Sequence, residues 1–453
     1  MSNKIETNYP FTGEVLKEYN LFTDKQVEDV LKTSNKTFLA WKRTSISERT
    51  DLLKKLVSIL NKQKEVLANL ITQEMGKPFK ESVSEIEKCI WLGDFYIRNS
   101  EQFLADSIIE TEAKESFISY DPLGTILGIM PWNYPLWQVM RFAIPTITAG
   151  NTVILKHANN VTGCSLKIQN IFEEAGYPDG CFMSVIASHN QINYMIGNDI
   201  VKAVSLTGSE KAGRKIAETT GKHLKKLVLE LGGSNACIVL KDADLEKHIE
   251  TMVTARMQNA GQSCIAAKRF IVEEEIYDKF LSRFKANIEK LKFGSPLEPE
   301  TDIATMARVD LAEEVEQQIS DSVKKGAKVL IGNKREKAYF EPTILTDVEP
   351  GMPVFDDEVF GPVASVIRAN NEKHAVELAT NSKYGLGTMI FTEKIEEAKR
   401  LIGEIQDGAL FINEMVKSDP RLPFGGTKYS GYGRELSKEG ILEFVNKKTV
   451  YIK

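Results

Sequence analysis

From about residue 114 onward, short apolar runs of strand length alternate with stretches of helical periodicity. Such runs occur at 152–155, 180–187, 203–206, 227–229 and 236–240. Parallel strands buried on both faces read as near-continuous apolar segments, and joining them requires crossover helices. The alternation therefore predicts a parallel sheet covered by helices, an α/β architecture. A second block repeats it, with strands expected at 269–272, 328–331, 364–367 and 387–391. At 453 residues the chain has room for two or three domains.

The first hundred residues carry a different period. Leu52, Leu53, Leu56, Ile59 and Leu60 recur at helical spacing, and the pattern runs on towards Glu74. Gly76 followed by Pro78 fits a helix stop, and a second helix is expected over 79–103. At the other end, Val450 and Ile452 alternate in a terminal strand over 448–453. A bare edge is a liability, so this strand is expected to make an oligomer contact.

Composition excludes several classes. A formal charge of −5 argues against nucleic acid or an anionic membrane as partner. The uncharged run 124–140 is broken by Pro131, Asn133 and Pro135 and closed by Arg141, which reads as core rather than as a membrane span. The first residues, Met1 to Glu6, hold no apolar signal region. Five scattered cysteines fit reduced thiols in a cytoplasm, and no CxxC or histidine cluster offers a metal site.

Cys264 stands apart from the other four cysteines. It follows Gly261, Gln262 and Ser263, which are poor core fillers, whereas Cys89, Cys164, Cys181 and Cys237 sit in ordinary packing contexts. Glu230 ends the apolar run 227–229, and Gly232-Gly233 after it lets the backbone turn tightly and approach a ligand. An acid held there could have a raised pKa and act as a base. A thiol that adds to a carbonyl carbon and a base that later activates water are the two needs of covalent catalysis on a carbonyl.

Other segments stay ambiguous from the residues themselves. Asn133, in Pro131-Trp132-Asn133-Tyr134-Pro135, is either a turn residue or an amide donor for negative charge developing on oxygen. Tyr134, Trp137 and Arg141 fall on one helix face, and an arginine in an uncharged stretch needs an anion, internal or from a substrate. The segment 203–209 leads a strand through Gly208-Ser209 into a helix N-terminus, which offers free N–H groups to a phosphate. Its spacing is not G-x-G-x-x-G.

Together these segments resemble the aldehyde dehydrogenase superfamily over nearly the whole chain. The resemblance rests on Pro131 to Pro135, Lys156, Leu206-Thr207-Gly208-Ser209, Leu229-Glu230-Leu231-Gly232-Gly233 and Gly261-Gln262-Ser263-Cys264. Glu358-Val359-Phe360-Gly361-Pro362, Pro423-Phe424-Gly425-Gly426 and Ser430-Gly431 complete it. It implies two parallel-sheet, Rossmann-like α/β domains and a small β oligomerisation element. Residues 1–109 and 125–229 would form the cofactor-binding domain, 230–437 the catalytic domain, and 110–124 with 438–453 the oligomerisation element of a homodimer or homotetramer.

The resemblance also implies roles. The Cys264 thiolate would attack an aldehyde, and Asn133 with the Cys264 N–H would hold the oxyanion. Hydride would leave for a nicotinamide, and Glu230 would activate the water that hydrolyses the resulting thioester. Lys156 would bind adenosine ribose or its 2′-phosphate, and Gly208-Ser209 would lie near the pyrophosphate. Glu358 would hold the nicotinamide ribose, with Trp132, Leu231 and Phe360 alongside.

Within the superfamily the chain is most similar to short bacterial and archaeal succinate-semialdehyde dehydrogenases, through Trp137-Gln138-Val139 with Arg141, Lys156-His157-Ala158 and Ser418-Asp419-Pro420-Arg421. That similarity implies oxidation of succinate semialdehyde to succinate, with Arg141 facing the substrate carboxylate and Ser418 as a second ligand. Many NAD-preferring relatives carry a glutamate three residues after the lysine, where this chain has Asn159. Losing that like-charge contact removes about 1 kcal/mol of repulsion towards a 2′-phosphate, so NADP is expected to be accepted and preferred over NAD. Rival substrates are glutarate semialdehyde, lactaldehyde, glyceraldehyde or an aliphatic aldehyde. A cysteine hydrolase without redox chemistry would need a histidine beside the thiol, and none of the five lies in such a motif.

Overall fold

Several helix starts are encoded locally. Thr23, Ser45 and Ser188 each accept the N–H three residues on, while Gln26, Glu48 and Gln191 reach back to the capping backbone. The computed structural model describes residues 4–453. The apolar repeat at 52–60 lies in the helix Ile46–Lys62, but the pattern does not continue unbroken: the chain pauses at Gln63 and restarts as Lys64–Met75. Gly76 ends that helix at φ +83°, where a side chain would also press on Thr305 Oγ1 at 2.8 Å. The expected second helix follows as Phe79–Leu104 and packs against both of its predecessors.

The two expected sheets form. The first has six strands in the order Gly431–Tyr432, Lys226–Glu230, Val201–Thr207, Thr125–Met130, Thr152–His157 and Phe182–Ser184. All neighbours are parallel except the outermost pair, Gly431–Tyr432 on Lys226–Glu230. The second has seven strands: Lys328–Ile331, Thr343–Thr346, Val363–Ala369, Ala267–Glu273, Asn235–Val239, Thr388–Phe391 and Leu410–Ile412. Lys328–Ile331 is an antiparallel edge strand. The edge strand Leu410–Ile412 is missing from the sequence expectation, although Ala409 to Ile412 form a short apolar run.

The chain end departs from expectation. Val445–Ile452 is not bare: it pairs along its full length with Glu115–Pro122, which in turn pairs with Ser107–Ile108. Among the described residues the outer edge of Val445–Ile452 stays unpaired, with Tyr451 and Ile452 exposed, and Ile108 is exposed on the strand at the opposite edge.

Close packing and strand direction together create a single cleft. The helix Trp137–Thr148 is buried on every face. It closes onto the strand Thr125–Met130 because Gly128 has no side chain; a Cβ there would lie 2.5 Å from the Phe142 ring. Strands of the first sheet deliver Met130, His157, Thr207 and Glu230 at their C-terminal ends, where ligands of open α/β sheets bind. Strands of the second sheet begin just after Cys264 and Phe360, so both sheets open onto one cleft. Among the described residues, no helix is long and apolar enough to cross a membrane. Cys89, Cys164, Cys181 and Cys237 are fully buried, as their packing contexts predict.

Candidate active site

The loop leading to Cys264 is built on unfavourable backbone. Asn259, Ala260 and Gly261 have φ of +56°, +50° and +71° in succession, a region L-residues avoid. Specific bonds hold it there. The Asn259 N–H donates to Glu81 Oε2 at 2.9 Å, and its side-chain amide donates to the Asn133 carbonyl at 2.9 Å. Gln262 donates to the Asn259 carbonyl at 3.0 Å and accepts the Ala307 N–H at 2.9 Å. Lys268 Nζ donates to the carbonyls of Ser263 and Cys264 at 2.8 and 2.7 Å. A Cβ on Gly261 would collide with the Gly361 carbonyl. The expectation that Gln262 and Ser263 avoid the core is overturned: both are buried, because their polar groups are satisfied inside the protein.

Cys264 itself is partly open and lies where two cavities meet. One, about 500 Å³, is walled by Trp137, Arg141, Lys88, Ser418 and Phe424. The other, about 460 Å³, is walled by Trp132, Asn133, Gly208, Ser209, Glu230, Leu231, Glu358 and Phe360. Among the described residues, only Cys264 and Gln138 line both.

Asn133 is buried, and its amide donates to the Gln262 carbonyl at 3.1 Å. A primary amide carries two protons, so one remains for an oxygen held beside the Cys264 loop. The turn bearing Asn133 is pinned by His157. His157 Nε2 lies 2.9 Å from the Pro135 carbonyl and Nδ1 3.1 Å from the Met130 carbonyl, so the ring bridges the strand end and the turn. Burial pushes His157 down to about 4, which keeps the ring neutral.

Electrostatics set the resting state of the acid and the thiol. Burial pushes the Cys264 thiol up to about 11, opposed by the charges of Lys268 and Arg141. Glu230 is held well above the ordinary carboxylate range, first by burial and then by the negative charge of Glu435. Among the described residues, neither of its carboxylate oxygens has a hydrogen-bond partner. Gly425, at φ +155°, gives it room: a Cβ there would lie 2.7 Å from Glu230 Oε1.

Arg141 turns out to have an internal partner. It is buried, paired with the Glu435 carboxylate and stacked over the Phe424 ring at 4.5 Å. It lines the first cavity, and of the two anions the sequence left open the structure shows the internal one. Ser418 also lines that cavity, and it accepts a 2.7 Å hydrogen bond from Lys88, a residue that sequence reasoning missed. The available signal was a lysine directly preceding the apolar run Cys89-Ile90-Trp91-Leu92. Lys268 was missed as well. It is the second residue of the strand Ala267–Glu273, and its third bond, 3.0 Å to Glu358, ties the Cys264 loop to the second cavity.

The second cavity has the features of a dinucleotide site. Trp132 and Phe360 stand edge-to-face at 5.7 Å. Glu358 accepts the Gly233 N–H at 3.1 Å, and any side chain on Gly232 would collide with that carboxylate. Gly208 and the capping residue Ser209 lead into the helix Glu210–Lys222, whose N-terminus suits a phosphate. Lys156 and Asn159 stand at a neighbouring strand end, outside that lining. Lys156 Nζ donates to Asn159 Oδ1 at 2.8 Å and to the His157 carbonyl at 2.7 Å, and burial pushes it down to about 8.

Comparison with known proteins agrees with this arrangement. The aldehyde dehydrogenase family profile matches residues 1–450. The chain is 42% identical over 451 residues to a probable succinate-semialdehyde dehydrogenase [NADP(+)] of Synechocystis, covering 99% of each. It is 42% identical over 445 residues to an Escherichia coli succinate semialdehyde dehydrogenase [NAD(P)+], covering 98% of this chain and 96% of the other. The crystal structure of a Streptococcus pyogenes succinic semialdehyde dehydrogenase with NADP+ superposes with a TM-score of 0.97 at 36% identity, covering 99% of each chain. With a matching profile over the whole fold and the thiol, acid and amide gathered at one cleft, the chain belongs to the aldehyde dehydrogenase family.

Proposed function

We propose that the protein oxidises succinate semialdehyde to succinate with NADP, and with NAD less well. The observation that carries this reading is the position of Cys264 between a cavity that Lys88 and Arg141 help to line and a cavity shaped like a dinucleotide site. The residues fit the cofactor. Lys156 is a half-buried cation without a carboxylate partner among the described residues, and Asn159 uses its oxygen on Lys156, which leaves its amide protons for a 2′-phosphate. Gly208 and Ser209 would take the pyrophosphate and Glu358 the nicotinamide ribose, with Trp132, Leu231 and Phe360 around the ring. When bound, the nicotinamide supplies the hydride acceptor for the oxidation.

The chain's own residues do the rest. Cys264 Sγ, once deprotonated, forms the bond to the aldehyde carbon. The free Asn133 amide proton and the Cys264 N–H stabilise the negative oxygen so formed. Glu230 takes a proton from the water that releases the acyl group from Cys264. Arg141 and Ser418 line the cavity that receives the far end of the substrate. Further parts of this reading are a homo-oligomer contact at the open edge of the three-stranded sheet, within 110–124 and 438–453, and a cytoplasmic setting, which fits five free cysteines.

A kcat/KM panel of aldehydes with both cofactors tests the proposal. Succinate semialdehyde with NADP should rank first; a neutral aliphatic aldehyde ranking above it would refute the substrate. Asn159→Glu should lower the NADP/NAD ratio of kcat/KM by about tenfold, since it places a like charge against the 2′-phosphate. An unchanged ratio counts against the role of Asn159.

The raised pKa values set the pH dependence. Below its elevated pKa Glu230 is protonated and cannot act as a base, and the thiolate fraction of Cys264 also grows with pH. With a neutral aldehyde, kcat/KM should therefore climb between about pH 6 and 9. A profile that falls over this range would contradict the assignment of these two groups.

A further inference from the structure

The substrate cavity contains a cation with no counter-ion. Lys88 lies on the helix Phe79–Leu104 and faces the same cavity as Cys264. Its Nζ donates to the neutral Ser418 hydroxyl at 2.7 Å and stands 4.4 Å from the centre of the Trp137 ring. Among the described residues, no carboxylate lies within ion-pair distance of it.

Each nearby acid is committed elsewhere. Glu85, one turn earlier on the same helix, pairs with Lys77 and accepts the N–H groups of Leu136 and Trp137 at 2.7 and 2.8 Å. Asp419 is held by Arg421 through two bonds of 2.9 and 2.7 Å. Glu81 accepts the Asn259 N–H, and Glu435 pairs with Arg141. Enclosure, with Arg141 as a like-charged neighbour, pushes Lys88 down to about 8. A partly buried cation left in this state is a poor structural element and a good anion receptor.

We infer that Lys88 is a further receptor for the substrate's distal carboxylate, acting with Ser418 and beside Arg141. This rests on the carboxylated-aldehyde reading above and names a further residue that selects for it. The geometry argues for a division of labour: Arg141 is ion-paired with Glu435, whereas Lys88 has only the Ser418 hydroxyl and the Trp137 ring beside it. A succinate semialdehyde carboxylate would supply the missing counter-ion and displace nothing but water. A neutral aldehyde of the same length would leave the ammonium as it stands.

The test compares wild type, Lys88→Met and Lys88→Arg on succinate semialdehyde and on butanal, with thermal melting as a fold control. Lys88→Met should lower kcat/KM for the semialdehyde about a hundredfold, mostly through KM, and lower that for butanal far less. Lys88→Arg keeps the charge and should recover much of the preference. If wild type prefers the semialdehyde and Lys88→Met retains that preference, the Lys88 assignment is wrong while the substrate reading stands. If wild type shows no preference for the carboxylated aldehyde, both are wrong. Equal losses on the two aldehydes in both variants would make Lys88 structural and also overturn the assignment.

Discussion

Glu230→Gln should give one fast turnover per active site and then slow every later turnover by about 10²- to 10⁴-fold. The amide keeps the shape of the carboxyl but cannot take a proton from water, so the acyl group stays on Cys264. Rapid mixing with aldehyde and cofactor should show a burst of reduced nicotinamide equal to the concentration of sites. Cys264→Ala should abolish the burst and the steady state together. A Glu230→Gln enzyme that loses the burst as well would mean that Glu230 also deprotonates the thiol. That outcome is physically open, since the thiol is pushed up to about 11 and needs a base from somewhere. Normal steady-state turnover in Glu230→Gln would remove it from the mechanism.

The second large effect concerns stability. Glu435→Gln should cost about 3–5 kcal/mol of folding stability, because it leaves the buried Arg141 guanidinium without its counter-ion. Combining it with Arg141→Met should restore most of that loss, since the double variant buries no charge at all. Denaturant unfolding of the two single variants and the double variant measures the coupling. Strictly additive losses would show that the two side chains do not act as a pair. The same substitution should have a kinetic signature. Glu435 is the largest charged contributor to the raised pKa of Glu230, so its removal should shift the alkaline rise in activity to lower pH.

Much of the site is legible in the sequence, and for a common reason. Glu230, Gly208 and Asn133 follow apolar runs that could only be strands, and ligand-binding residues of parallel sheets cluster at strand ends. Gly232 stands out in the sequence as a point of close approach, and its missing side chain is what admits Glu358. The helix Phe79–Leu104 is equally legible from its period. What that period cannot tell is which way Lys88 points, because the partner that reveals it, Ser418, lies 330 residues away.

Cys264 stands out in the sequence partly for a wrong reason. Its neighbours look exposed by composition, yet Gln262 and Ser263 are buried and satisfied by Asn259, Ala307 and Lys268. Polar residues are poor core fillers only while their hydrogen bonds are unmade, and composition does not report whether they are made. Arg141 shows the same limit from the other side. Its need for an anion is correct, but two candidates remain in the sequence, and the answer sits on Glu435, far along the chain.

The sequence by itself determined the parallel-sheet architecture and the glycine turns, and it singled out Cys264, Glu230 and Asn133 as candidates. Those are local properties: periodicity, backbone freedom and side-chain chemistry act within a few residues. Only the tertiary structure decided which charges are neutralised, where Cys264 stands between its two cavities, and why its thiol and Glu230 resist ionisation. Those depend on burial and on contacts between distant segments, because the energy of a charge is set by its surroundings in space.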